Sequence, residues 1–449
     1  MSIPCPQSQE IVAMKTLSRF QFWSRLLGLS LAVAISTSAS SDDWPQWRGP
    51  QGDSVSRESG LPLFWSENEG KAWKTPLPGW GTSTPAIWGD AVFVTSQEED
   101  QLLVLRINKE DGAILWKCQV GTGTVPREAK RGTQKFHQLH NLASPSPVTN
   151  GQSVFVHFGN GLLAAYDFDG QLQWKRNLQE DYGPYSIWWG HANSPVLYKN
   201  LLISVCMQDS LTDLRDTPSP SYVVAHDIAT GEVVWKTMRT TEAAAEECDA
   251  YTTPVFYETD AGTQMIIMGG NQLDAYDPAD GRQLWFLPRL VGGRTVTGPT
   301  VAEDKIFVTR GMRRDMLAIR LGGKGELTQR DVAWHYDSGT ADTCCPVAWD
   351  NLLFVLLDSG ILKCFDIENG QLRWHRRIKG GDFKTSPLAA EGRIYLFARD
   401  GLCTVMAASD RFDKLAENQL DDEILASPAI SDGRILVRGR KSLYALEKR

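Results

Sequence analysis

One stretch constrains the fold of this chain more than any other: Ala225-His226-Asp227-Ile228-Ala229-Thr230-Gly231-Glu232-Val233-Val234-Trp235. A strand ends in small-x-Asp, a turn closes on Gly, and a Trp follows four residues later. The same spacing joins Gly112 to Trp116, Gly170 to Trp174, Gly281 to Trp285 and Gly370 to Trp374. Looser copies end at Trp73 and Trp334, and an eighth slot near Leu415 has lost its Trp. A second marker is a small residue followed by a Pro that opens an apolar run. It recurs at Pro85, Pro147, Pro195, Pro254, Pro299, Pro346, Pro387 and Pro428. Both markers count eight. A period of roughly 40–60 residues holding several short strands is the mark of a β-propeller. The expected fold is all-β: eight four-stranded antiparallel blades in one ring.

The residue types suit such a ring. Gly supplies the positive φ of a tight turn, and the Asp carboxylate can cap that turn. The slot two before the Asp is small (Ala165, Ala225, Ala275), which lets a large ring pack close. The Trp side chains at 73, 116, 174, 235, 285, 334 and 374 are read as structural, filling the gap between one blade and the next. A Pro at the first position of a strand sacrifices no ladder bond.

The chain ends fit the same scheme. The last repeat runs through strand-like stretches at 428–430, 434–437 and 442–447, then stops without a Trp strand. Residues 71–78 carry a Trp strand with nothing before it to pair with. This N-terminal strand is expected to complete the C-terminal blade and so remove a free sheet edge. The implied organisation is a leader at 1–39, an arm at 40–70 and a single propeller at 71–449.

The motif Ala-x-Asp-x-x-Thr-Gly-x-x-x-Trp resembles the tryptophan-docking motif of the quinoprotein-type, or PQQ-like, β-propeller repeat family, over about residues 42–449. That family includes PQQ-dependent dehydrogenases and non-catalytic members such as the outer-membrane assembly lipoprotein BamB. The resemblance specifies the fold and leaves the function open. Asp43-Trp44-Pro45-Gln46-Trp47-Arg48-Gly49-Pro50 is similar to the leader before such repeats in secreted bacterial proteins. It is read as a packing arm whose two Trp side chains cover one mouth of the propeller. Some PQQ dehydrogenases carry a vicinal disulfide beside the cofactor, and Cys344-Cys345 could stand for it. The pair also fills the small slot before Pro346, where other blades have Ser or Thr, and that reading is preferred.

A net charge of −8 argues against a sequence-independent hold on nucleic acid. Basic residues Lys15, Arg19 and Arg25, the apolar run 26–35 and the small residues 36–41 read as a secretory signal peptide. Met14 is the better start and cleavage after Ala39 fits best. No Cys stands at the processing site, so a lipid anchor is not expected. The run is too short for a stable membrane span. A monomer in the periplasm or outside the cell is expected.

Loop lengths carry the functional signal. Later blades pass from Trp to the next Pro in 12–14 residues, whereas Trp116 to Pro147 takes 31, Trp174 to Pro195 takes 21 and Trp235 to Pro254 takes 19. A further insertion, 208–220, links a second strand to a third. In a four-stranded blade all four excesses fall on one face, and long loops on a rigid scaffold are where binding surfaces arise. The first loop offers Arg127, Lys130, Arg131, Lys135, His137, His140 and Asn141. The second offers Tyr185, Trp188, Trp189 and His191. The third offers Glu246, Glu247, Asp249 and Tyr251. Arg313, Arg314 and Lys384 lie on the same face. Of these, His140, Asn141, Trp188, Trp189, His191, Asp249 and Tyr251 are the candidate ligand-binding residues. His137 and His140 have a spacing that can bind a metal, but no further ligand is implied and none is assigned.

Two functions follow. In the first, a non-catalytic exported propeller binds a protein, peptide or glycan of the cell envelope on the enlarged face and needs no cofactor. The alternative, implied by the resemblance, is a dehydrogenase of alcohols or sugars with PQQ and calcium in the central funnel. No Glu-Asn-Asp ligand set for that cofactor can be placed, and no catalytic residue is assigned.

Overall fold

The structure is a computed structural model that describes residues 3–4, 43–125, 135–208, 220–337 and 339–448. The leader with Met14 and Ala39, the side chains of Arg127, Lys130 and Arg131, and most of the 208–220 insertion lie outside the described residues. Eight four-stranded antiparallel blades form the ring. The first seven occupy 86–122, 148–177, 196–238, 255–287, 300–336, 347–377 and 388–419. The eighth joins Ala429–Ser431, Arg434–Arg438 and Ser442–Leu446 to Lys71–Pro76, with Trp73 opposite Ala445. The N-terminal strand therefore closes the C-terminal blade. Among the described residues helix is confined to Leu178–Tyr182 and two short 3-10 turns at Ala245–Cys248 and Gln329–Asp331.

The repeat motif works as its chemistry requires. In blade 3, the Asp227 carboxylate accepts the N–H groups of Ala229 and Thr230, both at 3.0 Å. Gly231 has φ +71°, and a Cβ there would lie 2.6 Å from Trp174 of the preceding blade. Trp235 sits opposite Ala225, and the ladder slips by one residue just after that pair. The same slip follows Ala165, Ala275, Ala318 and Cys364 opposite their own Trp residues. That bulge sets the G-x-x-x-W spacing. Five of the docked indoles also donate Nε1–H to a carbonyl of the next blade. Trp73 reaches Lys109, Trp116 reaches Phe168, Trp174 reaches Ile228 and Trp334 reaches Ile367, all at 2.8 Å, while Trp374 reaches Ser409 at 3.2 Å.

Three seams depart from the pattern. Trp285 turns its Nε1–H to Gln264 of its own blade at 2.9 Å, because blade 5 replaces the Gly turn with a longer excursion. That excursion lays Gly325–Glu326 in parallel along Trp285 and Phe286. Trp235 packs on Gly281, but its Nε1–H finds no acceptor among the described residues. In blade 7 the vacant slot is Ala416, opposite Val405. Trp65 of the arm serves this seam, buried and stacked on Tyr395 and Phe397 at 6.4 and 6.0 Å. Its backbone N–H bonds the Asn418 carboxamide at 3.0 Å.

The second marker forms a relay around the bore. The N–H of Thr84 donates to Ser146 Oγ, that of Ser146 to Ser194 Oγ, and that of Ser194 to Thr253 Oγ1. On the other side Gly298 donates to Cys345 Sγ, Cys345 to Ser386 Oγ, and Ser386 to Ser427 Oγ. Cys345 thus holds a Ser/Thr position in this relay, and Cys344 and Cys345 are both free and buried. The arm does more than cover a mouth; it enters the bore. Trp44 bridges Ile87 of blade 1, Pro45 accepts from Thr149 of blade 2, and Val55–Ser56 pairs in parallel with Ala389–Ala390 of blade 7. Arg48, fully buried, spans blades 5 and 6 by donating to the carbonyls of Pro299 at 3.2 Å and Pro346 at 2.7 Å. Neutral carbonyl and hydroxyl oxygens accept from its guanidinium, among them Ser54 Oγ at 2.9 Å and Thr300 Oγ1 at 3.0 Å.

Candidate functional site

The long loops interlock into one rim over blades 1 to 4. Their contacts run from loop to loop. Lys135 N–H donates to the Trp188 carbonyl at 2.9 Å, and His137 N–H to the Trp189 carbonyl at 3.2 Å. These bonds tie the first loop to the second. Trp188 N–H donates to Asp249 Oδ2 at 2.8 Å, and Trp189 N–H to the Tyr251 hydroxyl at 3.4 Å. Trp189 Nε1–H reaches Glu246 at 2.9 Å. These tie the second to the third. Ser186 N–H donates to Gln208 Oε1 at 3.0 Å, and Gln208 is tied to Ser221, so the base of the fourth excess joins the same rim. The described parts of the first three long loops thus share one face, as their lengths imply.

The seven candidate residues divide by depth. Trp188, Trp189, His140 and Tyr251 are half-buried and reach the rim surface. Trp188 and Trp189 stand edge to face at 6.2 Å, with Lys135 Nζ 5.8 Å from the Trp189 ring. His140 packs on Phe136 at 4.9 Å. Asp249 and His191 are fully buried. Asp249 holds the second loop by its backbone, and His191 stacks on Tyr185 at 5.0 Å. Asn141, also buried, faces Thr82 of blade 1 at 3.4 Å and stands apart from the rest. Gly190 fits this crowding: with φ +100°, a Cβ would meet Phe136 at 2.6 Å and His140 at 2.7 Å.

Beneath the aromatic rim lies a buried polar group. His157 of blade 2 lies 4.5 Å from His191, and its Nε2 is 3.2 Å from the Tyr185 hydroxyl. Burial holds all three buried histidines neutral. His191 is pushed down to about 3 and His226 to about 4. His157 is lowered by burial first, then by the neighbouring His191 and His226. Tyr185 and the Cys206 thiol are pushed up by burial. His157 and Cys206 were not readable as site neighbours from sequence. The available signal was a His ending the apolar strand Ser153–His157 and a Cys ending Leu201–Cys206.

Over blades 5 to 8 the links are short and the rim is ionic. Arg294 pairs with Asp342 at 3.2 Å, and Arg310 pairs with Asp315, which also holds His335 at 2.5 Å. Arg399 bridges Asp382 at 3.3 Å and Glu423 at 2.5 Å, and Glu423 also takes Arg440. A cleft of about 460 Å³ between blades 7 and 8 is lined by Asp382, Arg399, Asp400, Asp421, Asp422, Glu423 and Lys441. Arg313 and Arg314 lie on this half, their backbones bonded to Thr340, and Lys384 pairs with Asp382. Among the described residues no three His, Cys, Asp or Glu side chains converge to hold a metal. No described helix is long and apolar enough to cross a membrane.

Comparison with known proteins places this geometry. The family model described as outer membrane protein assembly factor BamB matches residues 55–207, 219–343 and 323–413. Outer membrane protein assembly factor BamB of Escherichia coli is 25% identical over 175 residues, which covers 38% of this chain and 41% of that protein. The match thus spans under half the length of this curated relative. The crystal structure of BamB from Moraxella catarrhalis aligns with a TM-score of 0.58 at 12% identity, covering 84% of this chain and 97% of that one. Quinohemoprotein alcohol dehydrogenase from Comamonas testosteroni aligns with a TM-score of 0.66 at 13% identity, covering 93% and 81%. At these identities the structural likeness speaks for the fold alone. The repeat motif, the eight closed blades and the matched model together assign this chain to the BamB family of PQQ-like β-propeller repeat proteins.

Proposed function

We propose that this chain is an exported, non-catalytic propeller that binds a protein of the cell envelope on the rim over blades 1 to 4. Peptide and glycan ligands belong to the same class of reading. The observation that carries it is the interlocked rim. Ordering a loop residue costs roughly 1–2 kcal/mol, and a ring needs only about a dozen residues per link, as Trp334 to Pro346 shows. The extra length goes into a fixed surface that presents Trp188 and Trp189 half-exposed. Tryptophans held by their own backbones are the kind of anchor that binding surfaces use. The named relative, an assembly factor, points the same way.

Cofactor-free working is part of the proposal. The residues at hand do not suit PQQ with calcium. Arg48 and the arm occupy the bore. Asp342 is committed to Arg294 and Asp249 to the Trp188 backbone. Among the described residues no three His, Cys, Asp or Glu side chains converge that could anchor a hard cation.

The test is a paired set of variants assayed against envelope extract and then against the isolated partner. Trp188→Ala and Trp189→Ala should weaken binding by about tenfold or more, equivalent to about 1.4 kcal/mol. Thr230→Ala and Asn369→Ala, on turns at the opposite face, should leave it unchanged. Binding abolished only by the opposite-face variants would refute the face assignment. Dye reduction with alcohols or sugars after addition of PQQ and calcium would refute the non-catalytic reading.

A further inference from the structure

Outer strands are the exposed edges of a propeller, and most of them here carry charge. Leu172–Asn177 holds Lys175 and Arg176; Leu372–Arg377 holds Arg373, Arg376 and Arg377. Lys414–Gln419 holds Lys414 and Glu417, and Lys71–Pro76 holds Lys71 and Lys74. Such charges keep an edge from recruiting another strand. Val332–Tyr336 lacks charge but leaves only His335 exposed. One apolar outer strand is covered by a parallel segment of this same chain. Gly325–Glu326 lies along blade 4, with Gly325 opposite Trp285 and Glu326 opposite Phe286. The docking Trp and the residue after it receive the added strand.

The outer strand of blade 3, Val233–Met238, is apolar and uncovered. It ends its sheet, with no strand beyond it among the described residues. Val233, Val234 and Met238 are 41%, 52% and 46% exposed, so three of the most exposed large apolar side chains fall on one six-residue edge. Its one charge is Lys236, the residue after Trp235. Lys236 lies over the rings of Tyr182 and Tyr222 at 4.3 and 5.0 Å and has no ion pair among the described residues. In blade 4 the equivalent residue is Phe286, which faces Glu326 and whose carbonyl accepts Leu327 N–H at 2.7 Å. A carboxylate in the place of Glu326 would stand opposite Lys236 in blade 3.

We propose that the outer edge of blade 3 takes an extended segment of a partner protein as a parallel fifth strand, with a carboxylate opposite Lys236 and an apolar residue two positions to either side. Main-chain bonds give such pairing its affinity and alternate side chains give it specificity. The charge selects the partner and the flanking Val234 and Met238 supply the apolar contact. This surface lies on the flank of the ring and is independent of the loop rim.

The test uses the full chain and a blocked seven-residue probe peptide with central glutamate, valine two residues to either side and threonine elsewhere. Fluorescence anisotropy should show saturable binding. Exchanging the peptide glutamate for lysine should weaken it about tenfold, and Lys236→Glu should restore binding of the lysine peptide. Val234→Lys combined with Met238→Lys should weaken the glutamate peptide about tenfold while circular dichroism stays unchanged. Hydrogen exchange of the 233–238 amides should slow with peptide bound. Absence of saturable binding, indifference to the charge exchange, or undiminished binding to the double lysine variant would overturn the proposal. Sedimentation should show a monomer. A dimer that disappears in the double lysine variant would assign the edge to a second copy and overturn the partner assignment.

Discussion

The rims over the two halves of the ring are built from different forces on the same scaffold. Over blades 1 to 4, long loops cross-bond through backbone groups, aromatic rings and neutral buried histidines. Over blades 5 to 8, short links meet through ion pairs around a polar cleft. The blades beneath are alike: Trp116 and Trp374 occupy equivalent slots, and each donates to a carbonyl of the next blade. The difference therefore lies in how each rim excludes water. A dry aromatic rim holds one shape and presents fixed anchors. A wet ionic rim exchanges partners at little cost, because exposed ion pairs contribute only about 0–1 kcal/mol each.

The largest expected effect tests whether the scaffold is common to both halves. Trp116→Ala and Trp374→Ala should each lower the stability to denaturant by about 3–5 kcal/mol, through the cavity left between blades. Trp65→Ala should fall in the same range, since the arm indole stands where blade 7 lacks its own. A cost at Trp116 far above that at Trp374 would mean that the long loops lean on their seams, and the comparison would then have to be drawn in the blades themselves.

The second effect should separate the halves by pH. His157, His191 and His226 have folded-state pKa values below the ordinary 6.5. Between 6.5 and those lowered values the unfolded chain binds protons that the folded chain refuses. Stability from this source is therefore complete above about pH 6.5 and declines as pH falls. Each histidine contributes up to about 1.4 kcal/mol per pH unit until its folded value is reached. Glu423 also has a lowered folded value, set by Arg440 and Arg399 against the opposing effect of burial. Its contribution is lost only below the ordinary carboxylate range, so the ionic half should hold to lower pH. Hydrogen exchange followed from pH 7 to 4.5 should show the 185–191 and 153–157 amides losing protection before those of 382–386 and 422–427. His191→Phe should flatten the melting temperature against pH. Simultaneous loss across both rims would erase the distinction.

Much of the ring was legible because its markers are covalent spacings. The bulge opposite each Trp fixes Gly and Trp four residues apart, and the closing strand at Trp73 follows from counting strands at both ends. The long-loop face was legible because length alone reveals an excess. Pairings that depend on three-dimensional proximity were not. His157 ends a strand of blade 2 and His191 lies in the long loop that follows that blade, so no spacing announces their meeting. Trp65 appears in sequence as an arm residue, and only its stack on Tyr395 and Phe397 shows that it serves the seam where Ala416 replaces a Trp. Trp285 carries the full motif and packs against blade 5, yet its Nε1–H turns back to its own blade because blade 5 lost the Gly turn. A motif announces one half of a contact; the other half belongs to the next blade.

The smallest expected effect is the most specific to the ionic half. Arg399 is partly exposed and bridges Asp382 and Glu423. Attraction between such charges is screened over about 30 Å at 0.01 M salt and about 3 Å at 1 M. Arg399→Ala should therefore cost about 0.5–1 kcal/mol in dilute buffer and close to nothing at high salt. Trp189→Ala gives the counterpart. Its indole packs beside Trp188 and His137, and meets charge at its Nε1 bond to Glu246 and through Lys135 Nζ, 5.8 Å from the ring. Most of its cost should therefore survive 1 M salt. The two variants cross the comparison directly: one rim should lose its contribution to added ions and the other should keep it. If Trp189→Ala becomes silent at high salt, the bond to Glu246 holds that loop and the rim over blades 1 to 4 is ionic after all. If Arg399→Ala is unaffected by salt, the Arg399 stem contributes by packing, and the contrast narrows to the histidines beneath the aromatic rim.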